Sequence, residues 1–179
     1  MSAEIIVKDL YHDFGAKCVL NGIELEIEEG EIFGLLGPSG AGKTTLINIL
    51  TGQLTPKSGT AMLLGKEVGL LKGNDYVKIG IMMDHFGLYE RMNCYDNLKF
   101  YEMLDGKSNL KISDALTYVG LEKASKTKVS DLSKGMRNRL SFARVLLRSP
   151  RIMFLDEPTS GLDPSTTESI HELILAEKK

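Results

Sequence analysis

Nine consecutive residues, Gly37, Pro38, Ser39, Gly40, Ala41, Gly42, Lys43, Thr44 and Thr45, place glycines, a lysine and a hydroxyl at the spacing G-x-x-x-x-G-K-[ST]. A loop of this kind wraps phosphate. Its backbone N–H groups turn inward, Lys43 reaches the β and γ oxygens, and Thr44 offers its hydroxyl to Mg2+. Glycine is needed because the backbone must approach an anion closely, sometimes at positive φ, where a Cβ would intrude. The competing reading, a glycine-rich turn with an incidental lysine, does not account for what flanks the loop. The apolar run EIFGLLG (31–37) leads in, and Leu46, Ile49 and Leu50 lead out at helical spacing.

Two further groups of residues have chemical potential. Asp156 closes the apolar run RIMFLD (151–156), where its carboxylate can hold Mg2+, while Glu157 beside it can accept a proton from an attacking water. Taken alone, such a pair is a solvated strand end; with the phosphate loop it completes a division of labour. The third group is LSKGM (132–136), where Ser133 heads a helix whose stripe is Met136, Leu140, Ala143 and Leu147.

These groups need elements to hold them. Ile23, Leu25 and Ile27 alternate with Glu24, Glu26 and Glu28, the period of an antiparallel strand with one wet face, near an edge. EIFGLLG is apolar without alternation, as in a parallel strand covered on both sides, and GTAMLLG (59–65), VKIGIMM (77–83) and RIMFLD read as further strands. From about 85 to 148 the texture is helical. Asn93 with Asp96 marks a capped start, and Ile112, Ala115, Leu116 and Val119 form a stripe that Gly120 ends. EKASKTKVSD (122–131) reads as a linker. Asp163 and Pro164 open a closing helix with Ile170, Leu173 and Ile174 on one face. The expected fold is α/β: a P-loop NTPase core with a mostly parallel sheet, an antiparallel β region near the N-terminus and an inserted helical subdomain.

The ordered set GPSGAGKT, LSKGM and FLDEPTSGLD resembles the nucleotide-binding domain of the ATP-binding cassette (ABC) family over nearly the whole chain. The resemblance implies one domain over 1–179, with residues 1–84 and 149–179 as core and 85–148 as helical subdomain. It implies ATP and Mg2+ as cofactors and two domains facing head to tail. Ser133 and Gly135 of one would then close on the γ-phosphate held by the other. Asp163, in SGLD (160–163), matches the loop crossing that interface, and Phe14 matches an aromatic ring placed against adenine. The implied partners are a second ABC ATPase subunit, identical or not, and a membrane-spanning permease that would meet HFGLYERM (85–92), with Phe86, Leu88 and Tyr89 as anchors. The implied place is the inner face of the cell membrane, and the SKGM form resembles bacterial exporters of drugs and antibiotic peptides.

Three departures stand out. Asp84 occupies the place of a glutamine that senses Mg2+ or water, one methylene longer and uncharged; Asp84 can still ligate Mg2+. Lys134 and Met136 replace a glycine and a glutamine. The switch histidine expected beyond residue 174 is absent, and His171 does not replace it. The expectation is a fragment of a longer protein rather than a naturally shortened relative with weakened hydrolysis. For function, the resemblance implies an ATP-hydrolysing subunit of a transporter, and the alternative is a regulatory or non-transport ABC protein that closes on ATP with little turnover.

Composition removes other classes. With 42% apolar residues the 179-residue chain can bury a substantial core, and 22 basic against 24 acidic residues give a formal charge of -2, no electrostatic footprint for nucleic acid. Cys18 and Cys94 have no Cys/His cluster nearby, which argues against disulfide or zinc scaffolds. The start MSAEIIVKDL lacks the pattern of a signal peptide, and no apolar run is long enough to span a bilayer, so the expectation is that any membrane link comes through a partner.

Overall fold

A computed structural model describes residues 3–83, 87–106 and 108–178. The chain divides into two units, Met1–Asp75 with Lys178–Lys179, and Tyr76–Glu177.

In the first unit, β1 (Ala3–Phe14) and β2 (Lys17–Glu28) form an antiparallel hairpin. β3 (Ser58–Leu63) and β4 (Lys66–Glu67) extend the sheet in the order β2-β1-β3-β4. β2 is an edge strand, with Glu24, Glu26 and Glu28 exposed, as the alternation required. Helix α1 (Lys43–Leu50) buries Leu46, Ile47, Ile49 and Leu50 and meets β2 and β3. The β1–β3 register shifts between Lys8 and Tyr11. At that bulge, Gly59 lies so close to β1 that a Cβ there would stand 2.1 Å from the Asp9 carbonyl oxygen.

The strand expected over 31–37 does not form. Residues 31–38 carry no strand, Ile32 and Phe33 are about half exposed and Leu36 is 97% exposed. An apolar run specifies that a strand would be covered but supplies no ladder partner, and a strand exists only through its ladder. The backbone bonds seen here are local, such as Glu31 N–H to Glu28 O at 3.3 Å.

A short helix, α2 (Gly73–Tyr76), includes the last residues of the first unit in this part of the sequence. The second unit holds a parallel pair, β5 (Ile79–Met82) and β6 (Ile152–Leu155), in register from Ile79 opposite Ile152 to Met82 opposite Leu155. Helices α3 (Cys94–Asp105), α4 (Ile112–Tyr118), α5 (Lys134–Leu146) and α6 (Pro164–Ala176) complete it. Their apolar faces merge in one core that includes Met82, Leu98, Leu116, Leu140, Phe142 and Leu146. Side-chain caps start three of these helices: Asn93 accepts from Asp96 N–H, Ser133 from Met136 N–H and Asp163 from Thr166 N–H. Helix α5 can lie on β5 because Gly80 has no side chain; a Cβ there would sit 2.4 Å from Val145 Cγ1.

Residues 122–131 are not a linker. Cys94 N–H donates to Thr127 O (3.1 Å), Tyr95 N–H to Ser125 O (3.0 Å), Val129 N–H to Met92 O (2.9 Å) and Ser130 N–H to Glu90 O (3.1 Å). Most of the polar side chains are exposed while the backbone bonds residues 90–95, a distinction composition does not reveal.

Candidate active site

The phosphate-loop residues lie in the first unit. Gly42 is the N-cap of α1 at φ 92°, ψ 5°, a left-handed conformation, and a Cβ there would stand 2.9 Å from both the Val19 carbonyl oxygen and Leu20 Cδ2. Gly40 is also left-handed, at φ 79°. Lys43 folds its ammonium back over the loop, donating to Gly37 O (2.8 Å) and Pro38 O (3.0 Å). Helix α1 has no side-chain cap and no acidic residue in its first turn, so the positive end of its dipole carries no built-in counter-charge. A cation, a left-handed glycine corner and an uncompensated helix start in one loop fit an anionic phosphate. Thr44 is exposed and Thr45 half-buried. Phe14 ends β1 with 54% of its surface exposed, its ring edge-on to His12 at 4.8 Å.

The remaining candidates lie in the second unit. Asp156 follows β6 and is buried, and its N–H donates to Met82 O at 2.8 Å, so the parallel pair places its carboxylate. A buried carboxylate at a strand end has the donor chemistry of a magnesium site. Glu157 is exposed at φ 48°, a left-handed conformation costly for a residue with a Cβ. The next turn is held by Asn138 of α5, whose Nδ2 donates to Pro158 O at 2.5 Å, and by Ser160 N–H to Glu157 O at 3.0 Å.

Ser133 is exposed at the head of α5 and accepts from Met136 N–H at 3.2 Å. Gly135 is buried, and a Cβ there would stand 2.6 Å from Thr166 Cγ2. Lys134 reaches across the SGLD loop, its Nζ 2.7 Å from where a Gly161 Cβ would be. Asp163 caps α6, accepting from Thr166 N–H (3.0 Å), Thr166 Oγ1 (2.6 Å) and Ser165 Oγ (2.7 Å). These donors, the Thr166 hydroxyl foremost, hold its carboxyl well below the usual carboxylate range.

In the second unit Gly135 and Asp163 both meet Thr166 of α6, while Asp156 is tied to β5 through Met82. Phe14 and residues 37–45 lie in the first unit. Asp84 and Phe86 lie outside the described residues. Leu88 is half-buried against the core and Tyr89 is 44% exposed, its ring 4.7 Å from that of Phe100. His171 is exposed on α6. Asn138, Arg144 and Thr166 escaped the sequence reading. The available signal was a polar residue inside the buried stretch of α5, which Asn138 provides.

A family model described as ABC transporter matches residues 20–160. The chain belongs to the ABC transporter family. As an ABC ATPase domain it has the P-loop NTPase fold, binds ATP with Mg2+ and hydrolyses ATP. It is 36% identical over 168 residues to the lantibiotic transport ATP-binding protein SrtF of Streptococcus pyogenes, covering 94% of this chain and 72% of that one. It is 40% identical over 160 residues to the fluoroquinolones export ATP-binding protein MT2762 of Mycobacterium tuberculosis, covering 89% of this chain and 53% of that one. Among solved structures it resembles the ATP-binding cassette MJ0796, a dimer in a post-hydrolysis state bound to ADP and Pi. The TM-score is 0.81 at 26% identity, covering 95% of this chain and 81% of that one. Among the described residues no helix is long and apolar enough to cross a membrane.

Proposed function

We propose that this ABC domain is the motor subunit of an exporter, working as a head-to-tail pair in which each copy holds one ATP and finishes the pocket of the other. The observation carrying this reading is Ser133. It stands exposed at the positive end of a helix whose apolar face is buried in the core, and its hydroxyl accepts from Met136 N–H in its own first turn. The dimeric state of MJ0796 and the transport and export names of SrtF and MT2762 support it. The second subunit is a copy of this chain or a related ABC ATPase, and both act with a membrane-spanning permease on the inner face of the membrane. One domain covers the chain, with residues 1–84 and 149–179 as core and 85–148 as helical subdomain.

In this reading the backbone N–H groups of residues 37–45, Pro38 excepted, and Lys43 hold the phosphates, and Phe14 stacks on adenine. Thr44, Asp156 and Asp84 are the residues that would hold Mg2+, whose charge would offset that of the phosphates. Glu157 takes a proton from the attacking water as the water oxygen bonds the γ-phosphorus and the bond to the β–γ bridging oxygen breaks. The Ser133 hydroxyl and Gly135 N–H of the second copy meet γ-oxygens that the phosphate loop leaves open. Asp163 keeps its helix start in place at the interface. Phosphate release from wild type and Glu157→Gln, with sizing of each in magnesium-ATP, tests the scheme. The variant is expected to lose about 10²- to 10⁴-fold in rate and to accumulate as an ATP-bound dimer. Equal rates refute the base assignment, and a strictly monomeric ATP complex refutes the paired pocket.

A further inference from the structure

Arg144 belongs to α5, the helix that Ser133 caps, and no step above uses it. Its Nη2 donates to Ile81 O at 3.1 Å. Ile81 and Met82 are consecutive in β5, so their carbonyls point to opposite edges of the strand. Met82 O faces β6 and accepts Asp156 N–H at 2.8 Å. Ile81 O faces the other way, where among the described residues no further strand pairs with β5. Arg144 thus satisfies a carbonyl that the ladder leaves over, with a charged donor.

The guanidinium is itself held on two more sides. It lies over the Tyr101 ring, 4.9 Å from the centroid, and the Tyr101 hydroxyl donates to Gly87 O. Its Nη1 fills the space a side chain at Gly87 would need, 2.8 Å from the Cβ position, and Gly87 itself has φ 58°. One planar group therefore bonds the chain at residue 81 and lies against it at residue 87.

We infer that Arg144 is a positioning residue for Asp156: it pins the outer edge of β5, so that the inner edge presents Met82 O to the Asp156 amide and ties the helix headed by Ser133 to the metal carboxylate. The metal part rests on the magnesium role given to Asp156 under the proposed function. Lysine cannot substitute, because a point ammonium cannot donate to Ile81, stack on Tyr101 and fill the gap at Gly87 together.

The test is amide hydrogen exchange by NMR on the nucleotide-free chain. In Arg144→Ala the Asp156 amide is expected to exchange at least tenfold faster than in wild type, and in Arg144→Lys at least threefold faster. The Arg137 amide, bonded to Ser133 O in the first turn of α5, stays within twofold. Should Arg144→Ala fail to fold, Tyr101→Phe, which removes only the hydroxyl bond to Gly87, is expected to speed Asp156 exchange at least twofold. Unchanged protection of the Asp156 amide in whichever folded variant is measured overturns the positioning role. The second readout is the Mg2+ concentration at half-maximal ATPase rate, expected to rise at least fivefold in Arg144→Ala while binding of a fluorescent ATP analogue in EDTA stays within twofold. Asp156→Asn separates the two claims. If that variant leaves the Mg2+ requirement unchanged, the metal reading fails, and faster exchange in Arg144→Ala still supports the positioning role. If Asp156→Asn raises the requirement and Arg144→Ala does not, the link from Arg144 to the metal carboxylate is refuted.

Discussion

One methyl group at Gly135 should disturb two helix starts at once. A Cβ there would stand 2.6 Å from Thr166 Cγ2, whereas carbon atoms at rest are about 3.5–4.0 Å apart, an overlap of about 1 Å. Thr166 cannot rotate away freely. It is β-branched, its χ1 is stiff in a helix, and its hydroxyl is committed to Asp163 at 2.6 Å. Gly135→Ala must therefore push α5 from α6 or break the Asp163 cap, an overpacking cost of about 1–3 kcal/mol. For a chain of this size that lowers Tm by about 2–12 °C. The partner substitution is Thr166→Ser, which deletes the clashing methyl and keeps the hydroxyl that serves Asp163. Urea denaturation of wild type, both single variants and the double variant closes a cycle. The expected coupling is favourable by at least about 1 kcal/mol, because the second change removes the cause of the first. Additive effects, or a Gly135→Ala protein as stable as wild type, would show that Gly135 is not there to admit Thr166.

Gly42→Ala meets a left-handed φ, worth about 1–2 kcal/mol, and a backbone oxygen 2.9 Å away that cannot yield; ATP-analogue binding is expected to weaken at least tenfold, and a change under twofold contradicts the loop geometry. For Asp163 the pH sign is fixed by the lowered carboxyl: its cap is present above the usual aspartate value of about 4 and is lost only as pH falls through the lower folded value. The wild-type urea midpoint should therefore fall more steeply below pH 4 than that of Asp163→Ala, and parallel curves would contradict the cap. Tyr118 is pushed up to about 12 by burial and by its bond to Glu177, so its absorbance titration should shift downward in Glu177→Gln without returning to the free value, since burial remains. No shift would mean that the hydroxyl does not meet Glu177.

Much of the second unit was legible because its signals are local. Asn93, Ser133 and Asp163 each announce a cap within three residues of the amide they receive, and Gly120 ends α4 at φ 69°. The phosphate loop was legible for the same reason. What failed needed a partner from elsewhere in the chain. The run at 31–37 named a strand without naming its ladder, and the polar stretch 122–131 concealed backbone bonds to residues 90–95. The supports of the candidate site were hidden similarly. Asn138 holds Pro158 and Arg144 holds Ile81 across long sequence separations, which no periodicity encodes. Lys134 was legible only as a replacement for glycine, and the approach of its ammonium to Gly161 is visible only once α5 and the SGLD loop are placed together.

The left-handed backbone of Glu157 implies a tension between persistence and turnover. Asparagine or glycine would rest there at ease, so the resting fold gives up about 1–3 kcal/mol to keep a carboxylate at that corner. For persistence alone, glycine at this corner would serve the fold better than glutamate, so any stability gained by Glu157→Gly measures what the resting chain forgoes to hold a carboxylate there.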